Sequence, residues 1–267
     1  DSDLSGGIII NPKNGEIYAM AVNPDFDLNN FRSESDVKVF SNPLVENVYE
    51  FGSIIKPLVM AGAIDSGAVS INTSYYDKGY INVGPEQIHN FDKKGRGQVT
   101  MKDVLAQSLN TGMVFAGQQM GKENFKSYML SYGFGEKTNI ELPNESKSLI
   151  NNLKIGGKVE YATASFGQGI AFSPVSAVKA FSILANGGYV INPHIVKSID
   201  YEDGGEEMFD YNTSEENREY VLKKETTEEI TRILTSIIDE SLYGGNKKID
   251  QYSVAGKTGT AQIAKEN

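Results

Sequence analysis

Ser53 and Lys56 stand three residues apart in the stretch Glu50-Phe51-Gly52-Ser53-Ile54-Ile55-Lys56-Pro57. On a helix those two positions share a face, which sets an amine beside a hydroxyl. A lysine in a partly dry pocket loses its proton more readily than one in water. A serine with a base in hydrogen-bond reach is an activated nucleophile. With Ser53 opening a helix, its backbone N–H is one of the unpaired donors of that terminus, and the positive end of the helix dipole favours an oxyanion there. Gly52 permits a sharp turn into the helix. Pro57 falls in the first turn, where a missing N–H matters little, and the bias of a pre-proline residue against helix predicts a distorted turn at Lys56. The same spacing recurs at Ser35 and Lys38 and at Ser176 and Lys179, where a solvated serine near a surface lysine is the plain reading, so the pair alone does not single out Ser53.

Two further signals follow along the chain: Ser108-Leu109-Asn110 and Lys257-Thr258-Gly259. The first has a second match at Ser70-Ile71-Asn72, whereas the third motif occurs once. Singly, Ser108 and Asn110 read as helix caps, a common task for both types, and Lys257 as a strand-end lysine. Together their order and setting are specific, with a serine-lysine pair opening a helix, a serine and asparagine in a helix break, and a lysine on a strand.

Composition removes several classes. The 267 residues suit one large domain or two small ones, and 39% hydrophobic content suffices for a core. A net charge of −10 with no basic patch argues against nucleic acid as a partner. With no cysteine there is no thiol nucleophile, disulfide or thiolate-held metal. Only His89 and His194 could complete a serine-histidine-acid triad, and neither lies in a nucleophile-elbow context. No apolar run approaches the length of a membrane span and no signal peptide is visible.

The elements that must carry these residues alternate in kind. Residues 6–11 and 16–22 read as a hairpin around Pro12-Lys13-Asn14-Gly15. Residues 53–66 read as a buried helix, and 70–97 as irregular with short extended pieces. Thr100 caps a helix that breaks over 108–112 and resumes over 113–120; another runs over 123–132 and stops at Gly133. Ser173-Pro174 starts a helix that ends at Gly187-Gly188, followed by a strand pair near Val190 and 194–199. A capping box at Thr226 to Glu229 precedes an apolar helical stripe, and 252–263 reads as a final strand.

The three motifs in this order, with Asn42-Pro43 ahead of the nucleophile, Gly133-Phe134-Gly135, Glu141-Leu142-Pro143, Phe166-Gly167-Gln168-Gly169, Leu184-Ala185-Asn186-Gly187-Gly188 and Val254 to Gln262, resemble the penicillin-recognising serine acyltransferases. Within them the chain is similar to the transpeptidase domain of class B penicillin-binding proteins, over nearly its whole length. Phe51 replaces the usual proline, and Ala261 stands where class A enzymes tend to carry a second threonine.

The resemblance implies an α/β fold of α+β type: a central antiparallel sheet flanked by helices plus an all-helical lobe, as one domain over 1–267. The sheet part is expected at about 1–50 and 188–267, and the helical part at about 51–187. It implies a serine D,D-transpeptidase crosslinking peptidoglycan stem peptides that end in D-Ala-D-Ala, without cofactor or metal, and covalently inhibited by β-lactams. Ser53 would be the nucleophile and Lys56 its base. Ser108 would relay a proton, Asn110 would steady Lys56, and Lys257 would supply charge. Thr258, Gly259 and Thr260 would bind substrate, with the N–H groups of Ser53 and Thr260 as oxyanion hole. Glu141 belongs to a loop pattern and is not read as a deacylating acid. A D,D-carboxypeptidase or β-lactamase, or a non-catalytic β-lactam sensor, are the rival functions. Two more strands and a helix are expected to follow the Lys257 strand, so the sheet in this sequence reads as truncated, with an exposed edge. The parent protein is expected on the extracytoplasmic face of the bacterial membrane, held by an anchor absent from this sequence and working with a glycosyltransferase.

Overall fold

The helix that carries Lys56 is also the centre of the molecule. The computed structural model describes residues 2–209, 211, 214–241 and 251–261. In it α2 (Lys56–Asp65) is apolar on every side, the pattern of a helix surrounded by protein. Leu58, Val59, Met60, Ala61 and Ala63 are all but fully buried, and each large one contributes about 1.5–3 kcal/mol of apolar burial. Around α2 pack α3 (Met101–Ala106), α4 (Asn110–Met120), α5 (Lys122–Ser131), α8 (Pro174–Asn186) and α9 (Lys224–Ser236). The short α1 (Pro43–Glu46), α6 (Asn151–Ile155) and α7 (Lys158–Ala164) complete the helices met here.

The strands are antiparallel throughout. β1 (Ser5–Ile10) and β2 (Ile17–Asn23) form the opening hairpin, with a register shift at Ile9/Ile10. Its inner residues Ile8, Ile17 and Met20 pack on Val45, Ile140 and Val175. β3 (Ser74–Asp77) pairs with β6 (Gly97–Thr100), and β4 (Tyr80–Val83) with β5 (Glu86–His89); both pairs lean on α4. β7 (Ser198–Asp200) pairs with β8 (Glu206–Met208). The fold is thus the expected mixture of helices and antiparallel strands, although among the described residues the strands form separate two-stranded sheets, and two such pairs lie inside the region expected to be helical.

Local signals mostly fall where the sequence placed them. Ser173 accepts from the Ser176 N–H at the start of α8, and Gly187 (φ 95°) ends that helix in the left-handed conformation. Thr100 and Asp103 form a capping box on α3. The pre-proline distortion appears as a tight 3₁₀ turn over Gly52–Ile55, while Lys56 itself has helical dihedrals.

Four expectations change. α4 begins at Asn110, because Gly112 is there for close packing and not to break the helix: a Cβ on it would lie 2.3 Å from Val104 Cγ2. The capping box at Thr226 is not formed, since α9 starts at Lys224 and the Thr226 hydroxyl donates to Asp65 at 2.8 Å. The strand pair near Val190 is replaced by a Tyr189–Tyr220 bridge and the β7–β8 pair. Residues 253–261 lie outside any strand; a strand needs a neighbour to hydrogen-bond, and β1 pairs with β2 alone among the described residues. Gln262 and Ile263, the end of that expected strand, lie outside the described residues.

Candidate active site

Three backbone segments meet at Gly52. Its N–H donates to Gly167 O at 3.2 Å, and its φ of 56° puts it in left-handed space. A Cβ on Gly52 would lie 2.3 Å from Thr260 O, one on Gly167 2.0 Å from Gly52 O, and one on Gly259 2.7 Å from Phe51 O. Those distances exclude side chains, so the Ser53 turn, the 166–169 turn and the Lys257 segment touch through bare backbone. Glu50 Oε1 accepts the Gly169 N–H at 2.9 Å, Tyr49 and Phe172 exchange backbone bonds, and Phe51 stacks on Phe172 at 5.0 Å. The aromatic ring thereby anchors the turn at the position where the resembled family has proline.

Lys56 is fully buried. Its ammonium donates to Ser108 O at 2.6 Å, Ser108 Oγ at 3.1 Å and Asn110 Oδ1 at 2.7 Å. Ser108 has a left-handed backbone (φ 54°), uncommon for a residue with a side chain, in the short gap between α3 and α4. From the far end of the chain, Lys257 Nζ also donates to Ser108 Oγ at 3.1 Å, and to Thr258 O at 2.7 Å. One hydroxyl therefore accepts from two amines, which uses both its lone pairs and leaves its own proton free to donate. Burial, and then the charge of Lys257, lower the Lys56 pKa to about 7. Burial lowers Lys257 to about 8. Asn110 Nδ2 donates to His89 O at 3.0 Å, which turns its carbonyl end toward the lysine.

Ser53, half-buried, takes no side-chain hydrogen bond among the described residues and opens into a cleft of about 700 Å³. Ser108, Asn110, Thr258, Gly259 and Thr260 line the same cleft. The structure thus brings the sequence-derived site residues to one place. The rival pairs stay outside. Ser35 and Lys38 lie on the exposed surface, and Ser176 is buried in α8 against Ser173. Lys179 donates to Asn192 Oδ1 at 3.3 Å. His194 stacks on Tyr211, and Glu141 accepts from Ile195 N and Tyr211 OH, away from the cleft. Sequence reasoning missed the cleft walls Gln87, Phe91 and Thr163, and quoted Gln168 only as part of a motif. It missed the His89 carbonyl as well, since a backbone acceptor leaves no mark on residue type.

Known proteins resemble the chain over nearly its whole length. The family model described as "Penicillin binding protein transpeptidase domain" matches residues 6–267. Stage V sporulation protein D of Bacillus subtilis is 35% identical over 261 residues, covering 97% of this chain and 40% of that protein. The peptidoglycan D,D-transpeptidase MrdA of Acinetobacter baumannii is 30% identical over 281 residues, covering 96% of this chain and 41% of that protein. Among solved structures, apo penicillin-binding protein 3 from Mycobacterium tuberculosis superposes with a TM-score of 0.89 at 24% identity, covering 98% of this chain and 59% of that one. The chain spans about two fifths of the length of the two relatives named first.

Proposed function

The chain belongs to the penicillin-binding protein transpeptidase family, and from that premise we propose that it is the acyl-transferring part of a peptidoglycan D,D-transpeptidase. The observation that carries this reading is the meeting of Lys56 and Lys257 on the Ser108 hydroxyl, beside the unbonded Ser53 in an open cleft.

A pKa of about 7 leaves Lys56 roughly half unprotonated at neutral pH. The free amine keeps two of its N–H donors for Ser108 and Asn110 and gains a lone pair for the Ser53 proton. Ser53 Oγ then bonds to the penultimate D-Ala carbonyl carbon as its proton passes to Lys56. The N–H groups of Ser53 and Thr260 receive the oxyanion; Ser53 stands in the first turn, where such donors lack intrahelical partners. Losing one donor of this kind typically lowers the rate about 100- to 1000-fold. As the carbon–nitrogen bond breaks, the leaving amine takes the free Ser108 proton, which Lys56 replaces. D-Ala departs, and the amine of a second stem peptide attacks the ester and restores Ser53. Lys257 with the Thr258 and Thr260 hydroxyls binds the substrate carboxylate. A β-lactam follows the first half of the path, but its leaving amine stays tethered.

Transfer is favoured over hydrolysis because no Asp or Glu is among the described residues that line the cleft, so no carboxylate stands ready to activate water. This reading places the protein on the extracytoplasmic face of the membrane, alongside a glycosyltransferase that supplies glycan strands. Among the described residues no helix is long and apolar enough to cross a membrane.

Intact mass after incubation with benzylpenicillin tests the reading. The wild type gains one stable adduct, and Ser53→Ala gains none. An adduct that persists in Ser53→Ala moves the nucleophile elsewhere, and rapid turnover of penicillin makes the protein a β-lactamase.

A further inference from the structure

Asp77 lies outside the three motifs, at the end of β3, and is 1% exposed. Burying a carboxylate is expensive unless hydrogen bonds replace water. Among the described residues Asp77 bonds no lysine or arginine side chain; the guanidinium of nearby Arg96 pairs with Asp92 instead. Four neutral donors satisfy it. Gly79 N (2.9 Å) and the Thr111 hydroxyl (2.9 Å) reach Oδ1, while Asn90 Nδ2 (2.9 Å) and Arg96 N (3.0 Å) reach Oδ2. Tyr75 OH joins at Thr111 Oγ1, 2.7 Å away.

The placement of two of those donors matters. Thr111 follows Asn110, and Asn90 follows His89, the residue whose carbonyl accepts from Asn110 Nδ2. Asn90 Oδ1 also accepts the Thr111 N–H at 3.3 Å. Residues 89–90 are therefore tied to 110–111 by three contacts, since the Thr111 hydroxyl also lies 3.0 Å from Asn90 Oδ1, and Asp77 holds Asn90 and Thr111 from behind. The ties decide which end of the Asn110 amide faces Lys56. With Nδ2 held by His89 O, Oδ1 points at the ammonium, 2.7 Å away. A rotated amide would present N–H₂ to a cation.

We propose that Asp77 is a positioning residue for acyl transfer: through Thr111 and Asn90 it fixes the Asn110 amide, and through Asn110 the base Lys56. This rests on the transpeptidase reading. Asp77 gains its effect without touching substrate: α4 and the β4–β5 hairpin reach the cleft from different parts of the chain, and beyond their apolar packing this buried polar network joins them.

Asp77→Asn tests the idea directly but sets an N–H₂ against donors and can fail to fold, so Thr111→Val is the working variant. It keeps the shape of the side chain and removes only the hydroxyl. Thr226→Val, which loses a comparable hydroxyl–carboxylate contact to Asp65 far from the cleft, is the control. Second-order acylation by the chromogenic cephalosporin nitrocefin is followed against pH, with thermal melting in parallel. Thr111→Val is expected to acylate about 10- to 100-fold more slowly, the loss typical of a misplaced catalytic group. The acid limb of its profile moves to lower pH, because an acceptor that favours the charged Lys56 is lost. Lys257 is the cation facing Lys56, and His89 is a further titratable residue lining the cleft; both are present in wild type and variant alike, so the difference between the two profiles is assigned to Lys56. Thr111→Ser, which retains the hydroxyl, restores both rate and midpoint, and Thr226→Val changes neither. The proposal falls if Thr111→Val behaves like Thr226→Val, or if it loses rate with its pH midpoint unmoved, which makes Asp77 a structural brace. A wild type that is never acylated, or a Ser53→Ala that still is, sinks the transpeptidase reading itself and is seen independently of these variants.

Discussion

Replacing Lys257 with alanine should move the pH dependence of acylation in a direction the structure fixes. Lys56 and Lys257 each donate to Ser108 Oγ at 3.1 Å, so their nitrogens lie roughly 5 Å apart if they approach the hydroxyl near its lone-pair directions. Two unit charges at that distance repel by about 3 kcal/mol at an effective dielectric of about 20, equivalent to about two pKa units. Lys257 is only partly buried, and solvent on its open side halves the effect to about one unit. The repulsion disfavours the Lys56 ammonium, so removing it raises the Lys56 pKa from about 7 toward roughly 8; burial, the larger cause, remains. The unprotonated fraction at pH 7 falls from about half to about a tenth, a loss of about fivefold that disappears above about pH 9. The assay is the acylation rate at saturating β-lactam across pH 5–10, because saturation removes the separate effect of Lys257 on binding. Below saturation, where binding counts, the wild type should in addition lose rate above about pH 8 as Lys257 discharges, and the variant should lack that second limb. An acid limb that stays in place in Lys257→Ala, or shifts to lower pH, refutes the claim that the two amines share one electrostatic site.

Three further outcomes follow from local geometry. Gly52→Ala should abolish penicillin labelling and lower stability by about 1–3 kcal/mol, since it adds left-handed strain to a Cβ placed 2.3 Å from Thr260 O; labelling at the wild-type rate would mean the turn is not rigid. Ser173→Ala should lower stability by about 1 kcal/mol through loss of the α8 cap while labelling is unchanged, read by denaturant melts beside a labelling gel. Asp103→Asn weakens the capping box on α3 by about 0.5–2 kcal/mol. Bonds from Thr100 lower the Asp103 pKa in the folded protein, so the difference from wild type is full above the unfolded value near 4 and vanishes as pH falls through the lowered folded value; melts at pH 3 and pH 7 separate the two.

What could be read from the chain divides by the range of the interaction. The ends of α8 were legible because Ser173, Pro174 and Gly187 act within one turn, and no tertiary contact competes with them. The start of α9 was not, because Thr226 answers to Asp65, a residue far back in the sequence, and not to its own helix. Gly112 misled for a related reason: it looks like a helix breaker until Val104 is found where its side chain would be. Ser53, Lys56, Ser108, Asn110 and Lys257 were legible by type, since base, relay and nucleophile require those groups. Their arrangement was not, because the bond from Asn110 to His89 runs to a carbonyl that any residue would offer. The cleft walls Phe91 and Thr163 carry no local signature for the same reason, each belonging to the site only through the way distant segments pack.

Backbone, more than side chains, sets the place of Ser53, the proposed nucleophile. Gly52, Gly167 and Gly259 bring three chain segments closer than any Cβ permits, so the Ser53 turn is held by contacts that have no rotamers to relax. Lys56, by contrast, is held by three hydrogen bonds from one flexible side chain, and those bonds must rearrange when the amine takes a proton. The two requirements suit the parts proposed for them: an attacking Ser53 oxygen needs a fixed approach to the carbonyl and the Thr260 N–H, whereas Lys56 acting as base needs to change partners in each half-reaction. A substitution that adds a methyl group at one of these glycines therefore threatens the geometry while leaving every reactive group present, and a substitution at Ser108 or Asn110 spares the geometry while changing where the protons reside.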